Sequence, residues 1–363
     1  MAPLYLVLVF ILSLSISIYV CPLVISAALK YGIVDKPNSE LKRQREPVPY
    51  LGGLVIFSAL LCSLAISFPF DGPILAVLLC SSLIVSVGLV DDLGTLVPRD
   101  KLIGQTLAAI ILVKAGVKID IISWPWPITE VVSVFWMVTC MNAFNIIDVS
   151  DGLASVAGIV GAIGFTVISV INQEPTTAML ALALLGSCLG FLWYNRSPAR
   201  IYLGDTGSML LGTLLGAMTL IGRYSETNSI SAFIAPFTFL ALPFFDLALV
   251  ILARLIAGRK IYHGSPDHYA VRMKDHGFRP MQVVGISFCA GLVFISLGIS
   301  STLVAQTNAY YIGASTLLLG LSSLCVVYFR YPDRDSPRFP SSELKPGAQA
   351  EASTSSSLSS MQS

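Results

Sequence analysis

The chain has 363 residues, 55% hydrophobic and 12% charged, with a mean hydropathy of +0.79 and a formal net charge of +1. That balance excludes an ordinary soluble domain, and the near-zero net charge leaves no basic footprint for nucleic acid. Apolar runs of about 20 residues instead predict an all-α, polytopic integral membrane protein.

In chain order the apolar segments fall at 4–29, 51–69, 73–90, 102–117, 131–147, 154–172, 176–194, 207–222, 230–257, 281–304 and 308–329. They give about 10–11 transmembrane helices. The first run is too long for a signal-peptide core and has no basic region before it, so it reads as a retained helix. Residues 1–330 form one integral-membrane domain. Residues 331–363, rich in Pro, Ser and Gln, cannot bury enough apolar surface to fold and read as a disordered tail. The seven cysteines lie in or beside apolar runs without paired spacing and read as small core residues.

Basic residues set the orientation. With the N-terminus outside, only Lys114, Lys118 and Arg223 of the 22 Lys and Arg fall on outer connections. Loops 30–50, 91–101, 142–153, 195–206 and 258–280 and the tail are then cytoplasmic. The same loops carry Asp35, Asp91, Asp92, Asp100, Asp148, Asp151, Asp205, Asp267 and Asp275. One face of the bundle is elaborate and the other minimal.

Five stretches on that face carry chemistry. The loop GIVDKPNSELKRQREPVPYLGG (32–53) places Lys42 and Arg43 at the membrane surface. They serve either topology or a substrate phosphate. Asp91 and Asp92 end an apolar run, and adjacent carboxylates repel unless a cation or proton shares their site. Mg²⁺ with a diphosphate is the obvious cation, with Mn²⁺ as an alternative ion. Lys101 and Gln105 follow, four apart and so on one helical face. Lys101 either meets a phosphate or snorkels to the surface. In NAFNIIDVSDGL (142–153), helical spacing puts Asn142, Asn145 and Asp148 near one face, with Asp151 continuing the row. Charges at a membrane mouth are expensive and therefore functional candidates.

WYNRSPARIYLGDTGSMLLG (193–212) is a tight polar loop opening a helix whose free N–H groups favour an anion. PFFDLALVILARLIAGRKIYHGSPDHYAVRMKDHGF (243–278) sets Asp246 inside an apolar helix and gathers basic residues, including Arg272, with His263, His268 and His276. Carboxylates on three loops and basic residues on two others suit metal-assisted phosphoryl transfer on a lipid head group. Two other classes compete. An ion-coupled transporter would place its acids near the bilayer midplane. A non-catalytic scaffold would leave so many costly carboxylates unexplained.

These motifs, in order over most of residues 25–280, resemble the polyprenyl-phosphate N-acetylhexosamine-1-phosphate transferases of glycosyltransferase family 4. The chain looks closer to the undecaprenyl-phosphate GlcNAc-1-phosphate transferase branch than to the peptidoglycan lipid I translocase, because PFFD…AGRKI resembles the ninth helix and following loop of that branch. The resemblance implies an inner-membrane enzyme that transfers a sugar-1-phosphate, GlcNAc-1-phosphate foremost, from a UDP-sugar to undecaprenyl phosphate. UMP is released, and a cell-wall, lipopolysaccharide or teichoic acid polymer is started. A related UDP-sugar donor, including the lipid I type reaction, is the alternative.

By position, the resemblance makes Asp205 the Mg²⁺ ligand. Asp91 becomes the base that deprotonates the lipid phosphate, and Asp92 its partner in metal or lipid-phosphate binding. Asp148 and Asp151 become nucleotide-site and catalytic acids, with His268 beside them. Asn142, Asn145, Asn195, Lys101 and Arg272 bind substrate, and Tyr202 stacks on uracil. The lipid phosphate attacks the diphosphate directly or through an aspartyl intermediate. The family leaves room for a homodimer. The chain departs from the family's HxHH pattern: the matching stretch is HYAV, in which Ala270 and Val271 replace two histidines. KRQRE places Gln44 near another usual histidine. Both departures bear on the donor sugar.

Overall fold

The computed structural model describes residues 3–35, 47–67, 72–119, 125–222, 231–258 and 267–332. Within them the chain is an all-α bundle: α1 (Pro3–Tyr31), α2 (Gly52–Ser67), α3 (Gly72–Asp92), α4 (Pro98–Lys114), α5 (Ile128–Ile147), α6 (Leu153–Ile171), α7 (Pro175–Asn195), α8 (Gly204–Ile221), α9 (Ser231–Phe239), α10 (Ala241–Ile256), α11 (Tyr269–Asp275), α12 (Pro280–Leu303) and α13 (Gln306–Arg330). Seven of these, α1, α3, α5, α6, α7, α12 and α13, are long and apolar enough to cross a membrane. A two-stranded antiparallel ribbon, β1 (Val34–Asp35) with β2 (Val48–Pro49), pairs Val34 with Pro49 and Asp35 with Val48.

The single run expected over 230–257 is two helices. Pro243 has no N–H to give the Phe239 carbonyl, so the ladder breaks at Leu240 and α10 begins again at Ala241. Lys42, Arg43, Gln44, His263 and nearly all of the expected tail lie outside the described residues.

α8 is the pillar of the bundle. Most of its length is buried, and it packs against α3, α5 and α2. In lipid there is little hydrophobic gain in pairing helices, so small residues that permit close backbone approach matter more. Gly88 of α3 is one such residue: a Cβ there would run into the Thr206 backbone at the start of α8. α3 therefore lies in direct contact with the first turn of α8, and that contact positions the polar end of the bundle.

Candidate active site

The polar residues gather at one end of the bundle, around a cavity of about 420 Å³. Asp35, Tyr50, Asp92, Asn145, Asp148 and Asp151 line it, together with Asn195, Tyr202, Gly204 and Asp205. Its walls come from separate loops stitched to one another by backbone. Tyr202 N–H donates to the Pro49 carbonyl (2.8 Å). Gly52 N–H donates to the Tyr202 carbonyl (3.0 Å), and Gly53 N–H to that of Leu203 (3.1 Å). The loop before α8 is thereby zipped to the segment that links β2 to α2.

Lys101 stands at the focus. Its Nζ lies 2.8 Å from Asp91 Oδ2, bonds Asp205 Oδ2, and reaches Asn145 Oδ1 at 3.3 Å. Asn145 donates from Nδ2 to Asp205 Oδ1 (2.7 Å) and to Ser208 Oγ (3.0 Å). Four apart from Lys101, Gln105 accepts from Asn142 Nδ2 (2.8 Å). The face predicted for Lys101 and Gln105 is the one turned toward α5 and α8. Lys101 is no snorkelling lysine; its ammonium is folded inward between two carboxylates. Asn142 supports Gln105 and is not among the cavity-lining residues.

The carboxylates expected to act in pairs are separated. Asp92 Oδ1 accepts Asp205 N–H (2.7 Å), and its Oδ2 accepts both Thr206 N–H (3.1 Å) and Thr206 Oγ1–H (2.6 Å). Asp91 faces Lys101 instead. The expected metal trio of Asp91, Asp92 and Asp205 does not assemble: among the described residues no three His, Cys, Asp or Glu side chains form a group able to hold a metal. The reason is the Asp92 carboxylate, which is turned onto the α8 backbone.

Nor does Asp151 continue the helical row. α5 ends at Ile147, and the chain turns through Gly152 at φ +75° before α6 begins. Asp151 thus lies in a loop, where Oδ2 accepts Ala199 N–H (3.2 Å). Asp148, at the C-cap of α5, faces the cavity. Burial, followed by the charges of Asp205, Asp92 and Asp151, pushes its carboxyl up to about 8.

Asn195 lines the cavity but ties two loops together. Its Oδ1 accepts Gly152 N–H (3.1 Å) and Ser155 Oγ–H (2.8 Å), and its Nδ2 donates to the Ile201 carbonyl (2.9 Å). Tyr202 lines the cavity, and burial raises its phenol to about 12. Asp35 and Tyr50 were not singled out by the sequence as site residues. Tyr50 Oη donates to Asp35 Oδ1 (2.9 Å), and both line the cavity. Their sequence signal was membership of the 32–53 stretch, with Asp35 also counted among the loop acids.

His268 and Arg272 lie apart from that lining. His268 Nδ1 meets Asp246 Oδ2 at 2.8 Å, and Asp246 Oδ1 accepts Tyr269 N–H at 2.9 Å. The Arg272 guanidinium is buried against Asp267 (3.2 Å), the Asp267 carbonyl (3.0 Å) and the Tyr331 carbonyl (3.1 Å). Lys274 bridges this segment to the cavity loop by donating to the Val149 carbonyl (3.3 Å).

A helical membrane bundle with an acidic cavity at the helix ends, and an inward lysine bonded to one of its aspartates, defines an integral membrane protein with a polar-ligand site. The chain belongs to glycosyl transferase family 4, whose model matches residues 74–223. It is 31% identical over 298 residues to a probable undecaprenyl-phosphate N-acetylglucosaminyl 1-phosphate transferase of Bacillus subtilis, covering 79% of this chain and 82% of that one. A decaprenyl-phosphate N-acetylglucosaminephosphotransferase of Mycobacterium leprae is 29% identical over 311 residues, with coverage of 74% and 77%. A phospho-N-acetylmuramoyl-pentapeptide-transferase of Moorella thermoacetica is 28% identical over 256 residues, with coverage of 65% and 78%. The greater likeness to the N-acetylglucosamine enzymes agrees with the branch expected from the motifs.

Proposed function

We propose that this protein transfers a sugar-1-phosphate, GlcNAc-1-phosphate foremost, from a UDP-sugar to undecaprenyl or another polyprenyl phosphate, releasing UMP at the cytoplasmic face. The observation that carries the reading is Lys101 held between Asp91 and Asp205 beside a cavity lined by five aspartates and two tyrosines. Such a cavity accepts a diphosphate only with a cation to offset the charge. The two carboxylate oxygens that converge on the Lys101 ammonium are hard donors already arranged around a positive charge. Mg²⁺ is bound through one or two carboxylates plus substrate phosphates, so Asp91 and Asp205 fit that ion. When bound, it would neutralise the diphosphate and the departing UMP.

The chain's own groups do the rest. Tyr202 offers its ring to the uracil. Asn145 holds Asp205 in register. Asp91 takes the proton of the lipid phosphate, whose oxygen attacks the β-phosphate of the donor as the bond to UMP breaks. Positioning and electrostatics suffice for this transfer. Location of the acids at helix ends supports a transferase over an ion-coupled transporter, whose site would lie near the midplane.

The test is direct. Purified protein with UDP-GlcNAc, undecaprenyl phosphate and Mg²⁺ should release UMP, and Asp205→Asn should lower turnover by about 10²-fold or more while still folding. Absence of UMP with every common UDP-amino-sugar sinks the reading. Mass spectrometry of the lipid product across a donor panel identifies the sugar.

A further inference from the structure

We propose that Asp92 is a positioning residue whose carboxylate anchors the first turn of α8, and with it Asp205, leaving the cation and the phosphates to Asp91 and Asp205. The first N–H groups of a helix have no acceptor within it. In α8 the residue at the N-cap is Leu203, which offers no side-chain acceptor. Asp92, reaching across from α3, supplies what a local cap would. It accepts two consecutive backbone N–H groups and one hydroxyl, with its negative charge at the positive end of the helix dipole.

The geometry leaves little capacity for a metal. A carboxylate oxygen has two lone pairs. Both on Oδ2 are taken, by Thr206 N–H and Thr206 Oγ1–H, and one on Oδ1 is taken by Asp205 N–H. Asp91 Oδ2 meets the Lys101 ammonium and takes no backbone N–H of α8 among the described residues. Consecutive helical residues point about 100° apart, so two identical neighbours at the end of α3 face different partners. Two glycines make the approach close enough. A Cβ at Gly88, one turn before Asp92, would strike the Thr206 backbone. At Gly204, which is left-handed at φ +73°, a Cβ would sit 2.7 Å from Asp92 Oδ2.

The cation half of this inference rests on the proposed function; the anchoring half does not. The experiment uses full-length protein in detergent, with no substrate, in native, Asp91→Asn, Asp92→Asn, Thr206→Val and Asp92→Asn/Thr206→Val forms. Melting temperature is read first, and Mn²⁺ affinity by electron paramagnetic resonance second. Thr206→Val removes one donor to Asp92 and leaves both Asp91 and Asp205 side chains in place. It should lower the melting temperature by about 2–4 °C. The double variant should melt no lower than Asp92→Asn alone, because the two changes break one network. Asp91→Asn should weaken Mn²⁺ binding at least about tenfold, and Thr206→Val by less than about threefold.

A Thr206→Val protein that melts with the native one, or additive losses in the double variant, overturns the anchoring role. So does an Asp92→Asn protein of native melting temperature whose Mn²⁺ affinity falls as far as that of Asp91→Asn. If Asp92→Asn does not fold, the Thr206→Val melting temperature decides. If Mn²⁺ binds none of the proteins, the cation reading of the site fails by itself and the melting temperatures still judge Asp92.

Discussion

Lys101 and Asp91 are ion-paired at 2.8 Å, across the gap between the end of α3 and the start of α4, with both side chains about 15% exposed. The same ammonium also bonds Asp205, so one positive charge holds two carboxylates that would otherwise repel. Replacing Lys101 by Met leaves that repulsion uncompensated. The variant should lose about 1–3 kcal/mol of stability, the range for a charge-assisted bond left half unmade. Added Mg²⁺ should restore more of its melting temperature than it adds to the native protein. A thermal scan with and without chelator checks this.

Asp148 should make stability depend on pH. Its folded carboxyl is raised to about 8, against about 3.9 in an unfolded chain. The folded state therefore binds the proton more tightly than the unfolded one. The stabilisation is full below pH 4, declines as pH rises, and is gone above pH 8. Asp148→Asn should flatten that slope and melt higher than the native protein at pH 8 to 9. Melting curves over this range, without divalent cation, provide the measurement.

Tyr202 separates stacking from hydrogen bonding in the proposed donor site. Tyr202→Phe keeps the ring and should leave KM for the UDP-sugar within a few fold of native. Tyr202→Ala should raise KM about 10- to 100-fold, the scale of one lost base-stacking contact. Steady-state kinetics at saturating lipid acceptor distinguish the two.

Gly88→Ala tests the α3–α8 contact. The added methyl meets Thr206 backbone, which cannot move aside as a flexible side chain would. The expected loss is about 2–3 kcal/mol, the cost of overpacking, with turnover falling because Asp205 shifts with the helix. Melting temperature and UMP release should fall together.

The Asp246–His268 pair should behave as a unit. Asp246 is fully buried, and its carboxylate also accepts Tyr269 N–H. Asp246→Asn or His268→Asn alone should each cost about 2–3 kcal/mol by leaving a buried partner unmatched. Together they should cost less than the sum, with a coupling of at least about 1 kcal/mol in a double-mutant cycle.

Much of the site could be read from the chain because its signals are local. Asn142 and Asn145 sit on α5, and Lys101 and Gln105 on one face of α4, where helical spacing placed them. What escaped is non-local. Asp151 left the helical row because Gly152 turns the chain before α6. Asp35 and Tyr50 became cavity walls because Pro49, Gly52 and Gly53 are hydrogen-bonded to Tyr202 and Leu203, about 150 residues away in sequence. The break in the run over 230–257 left no mark in hydropathy; its sign was Pro243, which removes an N–H from the hydrogen-bond ladder.

Hydropathy and motif order, both properties of short stretches, were enough to give an all-helical membrane protein of glycosyl transferase family 4 with most of its acids at or beyond the ends of apolar runs. Helix packing decides which of Asp91 and Asp92 meets the backbone of α8 and which meets Lys101. Asp91 and Asp92 are chemically identical neighbours. Asp92 became an anchor because Gly88 lets α8 approach until its unpaired N–H groups lie about 3 Å from the carboxylate, and Asp91, about 100° away round the helix, was left to Lys101.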